Sequence, residues 1–177
     1  MAVLPLAGGG GDLHLMKAES PGPNVSKLVP KSSKTAQILY GIYLALTVLE
    51  ILILLFGGMS LFESVTLTFG TAGTGGFGVL NSSIASYSPF CQGVITVFMT
   101  LFGINFNFYF LLLCKKFKDA FKSEELWTYL AIMVSAIVVI AINVKDMFAS
   151  FGEALHHSAF QVSSVMTTTG FATTDFN

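Results

Sequence analysis

Charged residues are scarce in this sequence. Only 11% of its 177 residues are Asp, Glu, Lys or Arg, and its formal net charge is −1. An average soluble domain has about 25% charged residues, so the composition excludes an ordinary water-soluble fold. The nine basic residues form small clusters that give no indication of a nucleic-acid partner. Hydrophobic residues make up 53% of the chain and its mean hydropathy is +0.73, which indicates an integral membrane protein.

Cysteine is also scarce, and enzyme signatures are absent. Cys91 and Cys114 stand near opposite ends of one apolar segment. As one continuous helix, this segment would separate them by roughly 34 Å at 1.5 Å per residue, so we expect packed thiols and no disulfide. No Ser-His-Asp set, metal-ligand cluster or phosphate motif can be assembled, and an enzyme is not expected. We also expect no cleavable signal peptide, because no basic region precedes a clean apolar core.

Three segments are long enough to cross a bilayer, which takes about 20 apolar residues. They span residues 37–56, 94–113 and 126–143. Lysines precede the first segment, and KKFKDAFK at 115–122 joins the second to the third. Since basic residues concentrate in cytoplasmic loops, we predict that both lysine clusters face the cytoplasm and that residues 57–93 face outside.

Two segments rich in glycine and threonine each follow an apolar run, TAGTGGFGVLNSS at 71–83 and TTTGFATTDFN at 167–177. We call them the first and second glycine loops. A capping box precedes each one, SLFE at 60–63 and SFGE at 150–153, and this pattern predicts a helix start. The predicted helices are too short to cross the membrane and return. We therefore predict two re-entrant hairpins with short pore helices, either packed in protein or lining a pore.

The glycine loops belong to an internal repeat. A shift of 94 residues places Gly58, Leu61, Ser64, Thr74, Gly76 and Phe77 on Gly152, Leu155, Ser158, Thr168, Gly170 and Phe171, and Asn81 on Asp175. The capping boxes are offset by one turn, which predicts a longer second pore helix. The predicted fold is an all-α membrane protein of repeated span, pore loop and span units, with one complete unit and part of the next.

Loops of this composition suit cation conduction, because glycine lets backbone carbonyls turn inward to replace an ion's hydration shell. A pore helix that descends from outside also points the negative end of its dipole at the same place. Alternatively, small residues here permit close helix packing. A secondary transporter with broken helices, moving another cation such as sodium, is the alternative function. Its repeats are often inverted, whereas an even number of crossings per unit makes these copies parallel.

Four segments, GMSLFESVTLTFGTAGTGGFG, GINFNFYF, FQVSSVMTTTGFATTDF and ESPGPNVSKLVPKSSKTAQILYGIYLALT, resemble TrkH-type potassium uptake proteins of the Trk/Ktr/HKT superfamily. The resemblance implies a potassium-channel-like fold with four consecutive units around one pore. Residues 1–36 then match the end of a preceding unit and its cytoplasmic linker. Residues 37–122 match a complete unit, and residues 123–177 match a following unit, truncated after its filter loop.

The resemblance further implies a selectivity filter whose backbone carbonyls bind potassium, which is the substrate, with no cofactor in the chain. Its residues are Thr74, Gly75, Gly76, Phe77, Thr167, Thr168, Thr169, Gly170 and Phe171. The filter glycine of the first loop is Gly76, with Gly75 as an alternative. Asp175 is expected at the outer pore mouth, and glycine in the filter favours potassium over sodium.

The implied partners are the remaining filter-bearing units, a second copy in a homodimer, a cytosolic nucleotide-binding regulatory subunit of the Trk type, and membrane lipid. The implied location is the bacterial inner membrane. Because the first and fourth filter strands are missing from the chain, we expect a fragment that does not conduct unaided.

A few polar residues lie outside the loops. Glu50 is within the first span, where an ionisable group suggests a function, although a neutral or hydrogen-bonded structural role is also open. Asn105 and Asn107 are expected to bond between helices. His156 and His157 are adjacent, point in different directions and lack a third ligand, so we expect ordinary polar contacts and no metal.

Overall fold

The computed structural model describes residues 32–174, and helices are the only regular secondary structure in that range. In chain order they are α1 Ser32–Phe56, α2 Leu61–Ala72, α3 Pro89–Gly103, α4 Phe106–Leu113, α5 Phe117–Phe121, α6 Glu124–Val144, a short 3-10 helix Lys145–Met147, and α7 Phe151–Met166. The predicted all-α class is confirmed.

Two of these helical segments, Ala36–Phe56 and Glu124–Met147, are individually long and apolar enough to cross a membrane. They correspond to the first and third predicted spans. The second predicted span, 94–113, is divided between two helices, α3 and α4. Only the two helices together are long enough to cross a membrane. The separation inferred for Cys91 and Cys114 from a continuous helix therefore does not apply. Both are free thiols, the first buried and the second exposed.

The break between α3 and α4 has a local cause. Ile104 has an extended backbone, with φ −74° and ψ 139°, so α3 ends at Gly103. The Asn105 side chain then accepts a hydrogen bond from the Asn107 N–H at 3.0 Å. Asn is a strong N-cap because its oxygen satisfies a free N–H in the first turn. Asn105 thus caps α4, a role that the sequence analysis did not assign to it.

The two predicted pore helices are α2 and α7. Ser60 and Glu63 form a complete capping box, in which the hydroxyl accepts from the Glu63 N–H and the carboxylate accepts from the Ser60 N–H. The Ser150 hydroxyl likewise accepts from the Glu153 N–H, but the Glu153 carboxylate accepts from the Ala149 N–H. With 16 residues against 12, α7 is longer than α2, as predicted.

The described chain forms two compact units, and the smaller one comprises residues 32–45 and 105–123. It contains the first part of α1 together with α4 and α5. The rings of Phe108 and Phe121 meet edge to face there, with centroids 5.7 Å apart. This geometry is favourable for aromatic pairs and ties α4 to α5.

The larger unit comprises residues 46–104 and 124–174. Within it α2 packs against α3, α3 against α7, and α7 against α6. Its buried core consists of Leu54, Met59, Leu67, Ile84, Cys91, Ile95, Met99, Phe160 and Phe171. These residues come from α1, both pore helices, α3, the second glycine loop and the short segments before α2 and after the first loop. A shared apolar core therefore holds the pore helices and the loops in place.

The glycine loops as a candidate ion site

Both glycine loops have the same unusual backbone. Thr74 and Gly76 have φ angles of 51° and 64°, and Thr168 and Gly170 have φ angles of 57° and 86°. The residue between each pair is outside the positive-φ region. Alternation of this kind departs from both helix and strand geometry, and glycine adopts it without steric cost. The equivalent residues are 94 positions apart, so the repeat extends to backbone conformation.

Threonine in the left-handed region is strained, at a cost of order 1–3 kcal/mol, and persists only where its surroundings fix it. Backbone hydrogen bonds to the last turn of each pore helix supply that constraint. In the first loop the N–H groups of Gly73, Thr74 and Gly75 donate to the carbonyls of Phe69 (2.9 Å), Thr71 (3.3 Å) and Gly70 (2.8 Å), respectively. In the second loop the N–H groups of Thr167, Thr168 and Thr169 donate to the carbonyls of Ser163 (3.0 Å), Val165 (3.1 Å) and Ser164 (2.9 Å), respectively. Each pair is related by the same shift of 94 residues, so both loops are held by the same set of helix-ending bonds.

The two loops lie directly against each other at Gly76. A Cβ there would overlap the carbonyl of Thr169. At Gly170 a Cβ would meet nothing within 4 Å, so only its positive φ favours glycine. Gly75 has no positive φ, and a Cβ there would contact only the ring of Phe77, at 3.4 Å and beyond. Gly76, and not Gly75, is therefore the conformational counterpart of Gly170.

The two phenylalanines of the loops differ in their surroundings. Phe171 is completely buried, whereas Phe77 is 80% exposed. The Phe171 ring packs over Gly70 of α2, where a Cβ would lie 2.8 Å from the ring's Cζ. Its carbonyl accepts a hydrogen bond from the Ser164 hydroxyl at 2.7 Å. The second loop is thus anchored to both pore helices through Phe171.

The threonine hydroxyls also divide into two groups. The Thr167 hydroxyl bonds to the Ser163 carbonyl at 2.7 Å and to the Thr169 hydroxyl at 2.8 Å, and both threonines are buried. Thr74 and Thr168 are exposed. Of the predicted threonines, these two can therefore present hydroxyl oxygens away from the protein interior.

Charged groups near the first loop lie in the pore helix and not in the loop. The Tyr87 hydroxyl donates to Glu63 at 3.1 Å. Hydrogen bonds from the side chain and backbone of Ser60 hold the pKa of Glu63 below its usual value. Burial, and then the bond to Glu63, raises the pKa of Tyr87 to about 12. Asp175 lies outside the described residues, so its position at the outer mouth stays a prediction.

The adjacent histidines of α7 make the ordinary polar contacts that were predicted. His156 Nε2 lies 2.9 Å from Gln92 Oε1, and His157 Nδ1 lies 2.9 Å from Thr173 Oγ1. Burial, and then the neighbouring His157, lowers the pKa of His156. Within residues 32–174 no three metal-ligating side chains are grouped. Sequence reasoning missed Gln92 and Thr173, because only the fold brings them to α7.

Comparison with known proteins identifies relatives over nearly the whole chain, although no family model matches it. The chain is 32% identical over 178 residues to the Trk system potassium uptake protein TrkH of Escherichia coli K12, covering 98% of this chain and 37% of that protein. It is 31% identical over 184 residues to TrkG of the same organism, covering 99% and 37%. The chain therefore spans about 37% of the length of these curated relatives.

The helical arrangement agrees with a solved structure. The crystal structure of the potassium transporter TrkH from Vibrio parahaemolyticus matches 98% of this chain with a TM-score of 0.79 at 25% identity, and the match covers 36% of that chain. The resemblance inferred from the loop motifs is confirmed. The chain is thus a multi-pass membrane protein of TrkH type, which matches these potassium uptake proteins in sequence and in fold over about a third of their length.

Proposed function

We propose that the chain is part of a channel-like potassium uptake protein of the bacterial inner membrane, and that its two glycine loops are strands of the ion selectivity filter. The observation that carries this proposal is the alternating backbone at Thr74 and Gly76, repeated at Thr168 and Gly170. In this proposal the alternation turns the loop carbonyls to one side, where they can replace the hydration shell of a cation. Curated relatives named as potassium uptake proteins support potassium as the ion.

The electrostatics of the loops support a cation. Residues 69–78 and 163–174 contain no charged side chain. Both segments begin at the C-terminal ends of α2 and α7, where a helix dipole places roughly half a negative charge. A cation beside the loops would therefore be stabilised by oriented peptide groups, and no carboxylate ligand is needed. The chain would transport its substrate without chemical conversion and without a cofactor.

Two strands cannot surround an ion, so further strands are part of the proposal. In the second loop, Phe171 packs over Gly70 of the preceding pore helix. By the repeat, the exposed Phe77 should pack in the same way on the pore helix of another filter-bearing unit. A second copy in a homodimer and a cytosolic nucleotide-binding regulatory subunit are the further proposed partners. Exposed apolar side chains of α6, such as Val139, are proposed to contact lipid.

The test is the substitution Gly170→Ser in the protein expressed from its complete gene, in a bacterial strain deficient in potassium uptake. The site has space for a side chain, but the new Cβ strains the left-handed backbone and shifts the carbonyl ring. We expect the ratio of potassium to sodium uptake to fall about tenfold, which corresponds to about 1.4 kcal/mol of differential binding.

Gly152→Ser is the matched control. A Cβ at Gly152, in the first turn of α7, would meet only the Ser150 hydroxyl at 3.8 Å, so this variant should keep the wild-type ratio. An unchanged ratio and rate for Gly170→Ser, at normal protein levels, would remove Gly170 from the filter. Wild-type uptake that prefers sodium would favour the alternative of a transporter with broken helices.

A further inference from the structure

Side chains from α3 and α7 hold two short segments at the ends of the glycine loops. Residues 83–87 begin at the last residue of the first loop, and residues 172–174 lie within the second loop. We call them the first and second exit segments. Gln92, in the first turn of α3, is 5% exposed. Its amide nitrogen lies within hydrogen-bond distance of three carbonyls of the first exit segment, those of Ile84 (3.2 Å), Ala85 (3.4 Å) and Tyr87 (3.1 Å), which share its two hydrogens. One side chain therefore gathers the first exit segment into a fixed turn.

The same glutamine reaches the second pore helix. Because its amide nitrogen faces the carbonyls, its oxygen faces His156 of α7, and the His156 Nε2–H donates to it at 2.9 Å. This bond joins the first repeat to the second. The next residue, His157, bonds through Nδ1 to the hydroxyl of Thr173 in the second exit segment, at 2.9 Å.

Glu63 and His157 occupy equivalent positions of the repeat, and each bonds to an exit segment, although the bonded residues are not equivalent. The shift of 94 residues places Glu63 on His157. Glu63 accepts a hydrogen bond from Tyr87 in the first exit segment at 3.1 Å, and His157 bonds to Thr173 in the second. The shift places Thr173 on Val79 and not on Tyr87. Each pore helix therefore bonds to the exit segment on the C-terminal side of its own loop glycine, Gly76 or Gly170.

The two exit segments also bond directly to each other. The Ile84 N–H donates to the Ala172 carbonyl at 3.0 Å, and the Ala172 N–H donates to the Ser83 hydroxyl at 3.2 Å. Together with Gln92 and the two histidines, these bonds close a ring of contacts that runs through both exit segments, α3 and α7. A closed ring resists displacement of either segment, because moving one breaks bonds to the other.

We propose that Gln92, His156 and His157 form a clamp that fixes the spacing of the two exit segments and thereby sets cation selectivity. The proposal rests on the proposed filter function of the glycine loops. The three are positioning residues: they hold the segments that continue from the filter strands. Such support matters because a binding constellation functions only when its supporting shell holds the ligands within about 0.5 Å of the productive geometry.

The first test compares His156→Leu with His156→Gln in the complete protein. Leucine removes the bond to Gln92, whereas the glutamine amide can replace the histidine Nε2–H as donor. We expect His156→Leu to lower the ratio of potassium to sodium uptake on the order of fivefold, the factor equivalent to one hydrogen bond. His156→Gln should restore most of the ratio. Gln161→Leu removes a polar side chain from the same helix whose oxygen bonds to nothing in the described chain, and serves as the matched control.

Gln92→Glu provides a second variant that does not touch α7. A glutamate keeps an oxygen facing His156 but loses the amide hydrogens that bond to Ile84, Ala85 and Tyr87. It should reduce selectivity as His156→Leu does. If His156→Leu fails to accumulate in the membrane, this variant decides the question, and an unchanged ratio in folded Gln92→Glu protein overturns the proposal.

The second test measures the clamp without transport. Ile84 is completely buried, so Ile84→Cys, in a background lacking Cys91 and Cys114, should react slowly with a maleimide in purified protein. His156→Leu should accelerate this reaction severalfold, and His156→Gln should not. Unchanged reactivity overturns the clamp. Faster reaction with unchanged selectivity shows a purely structural contact and overturns its role in selectivity.

The Gly170→Ser variant separates this proposal from the function on which it rests. If Gly170→Ser changes the ratio of potassium to sodium and the clamp variants do not, the clamp is wrong and the filter stands. If neither Gly170→Ser nor the clamp variants change the ratio, the filter assignment fails, and the clamp's role in selectivity fails with it.

Discussion

The carbonyl oxygen of Thr169 occupies the place that a Cβ on Gly76 would need. The contact joins the two glycine loops, and both of its partners are backbone, so no flexible side chain can move to relieve an overlap. Gly76 is also in the left-handed region, with φ 64°. At this position close approach and backbone conformation independently require glycine.

Gly76→Ala should therefore destabilise the protein more than Gly170→Ala. The first adds steric overlap, which typically costs 1–3 kcal/mol, to a left-handed strain of about 1–2 kcal/mol. The second incurs only the strain, because nothing lies within 4 Å of a Cβ at Gly170. Thermal unfolding of the two purified variants measures the difference. Equal destabilisation would mean that the two loops are not in contact at Gly76.

The sequence could predict this pair of loops but not the contact between them. The capping motifs, the glycine and threonine content and the shift of 94 residues were enough to predict two pore helices of unequal length. Periodicity says nothing about which atoms of two loops meet, so the close approach at Gly76 had no sequence signal. The break at Ile104 was missed for a related reason, because an apolar run of the right length predicts a span and conceals an extended residue within it.

The residues around the loops were harder still to predict. Nothing in the local sequence distinguishes Gln92 from a glutamine on a protein surface. Its role comes from three carbonyls and one imidazole that the fold places around its side chain. The histidines of α7 were correctly expected to make polar contacts. Their partners follow from the packing of α3 against α7, a long-range contact that a single sequence does not encode in its local pattern.

Gly103, the last residue of α3, allows close packing against α6 and the second glycine loop. A Cβ there would overlap the Tyr129 hydroxyl and lie 2.9 Å from Cγ2 of Thr167. We expect Gly103→Ala to destabilise the protein by about 1–3 kcal/mol. At Gly93, within the same helix, a Cβ would meet nothing within 4 Å. Gly93→Ala should be neutral or stabilising by up to about 1 kcal/mol, because alanine favours a helix.

A second substitution tests whether the Tyr129 hydroxyl is the obstacle. Tyr129→Phe removes that hydroxyl, together with its bond to the Thr100 carbonyl at 3.3 Å. Combined with Gly103→Ala, it should cost less than the sum of the two single changes, since the steric overlap disappears. Strict additivity in the melting temperatures would show that Gly103 is required for another reason.

Glu50 lies in α1 with its side chain completely buried and with neither carboxylate oxygen hydrogen-bonded within the described chain. The Thr71 side chain faces it, although the Thr71 hydroxyl donates to the Leu67 carbonyl at 2.9 Å. An unpaired buried polar group costs free energy and does not stabilise the fold. We therefore expect Glu50→Gln and Glu50→Leu to keep normal amounts of folded protein, whereas Glu50→Lys, which buries a charge, should not.

Potassium uptake by the two stable Glu50 variants separates structure from function. Suppose that Glu50→Leu folds normally but loses uptake, while Glu50→Gln retains it. The polar end of the Glu50 side chain then contributes to transport by its contact with Thr71 of the pore helix α2. If both variants transport normally, Glu50 has no role in conduction. Loss of folded protein in Glu50→Gln would contradict the expectation itself, because glutamine keeps the size and the polarity of the side chain.

His156 predicts a dependence of stability on pH. Its pKa in the folded protein is lowered, first by burial and then by the adjacent His157, whereas an unfolded chain titrates near the ordinary histidine value of about 6.5. Below that value the unfolded state binds the proton more readily than the folded state. The contribution of neutral His156 is therefore fully present above about pH 6.5 and is lost as the pH falls through the lowered folded pKa. The melting temperature of the purified protein should decline on acidification from about pH 8 to about pH 5.

The comparison with His156→Gln isolates this residue from other titrating groups. Glutamine can still donate to Gln92 but cannot be protonated in this range, so the variant should show a flatter melting profile at acidic pH than the wild type. The two proteins should agree most closely above about pH 7, where the wild-type imidazole is neutral. Parallel profiles at all pH values would assign the acid sensitivity to groups other than His156. A steeper profile in the variant would contradict the lowered pKa, because only a raised histidine pKa would stabilise the wild type in acid.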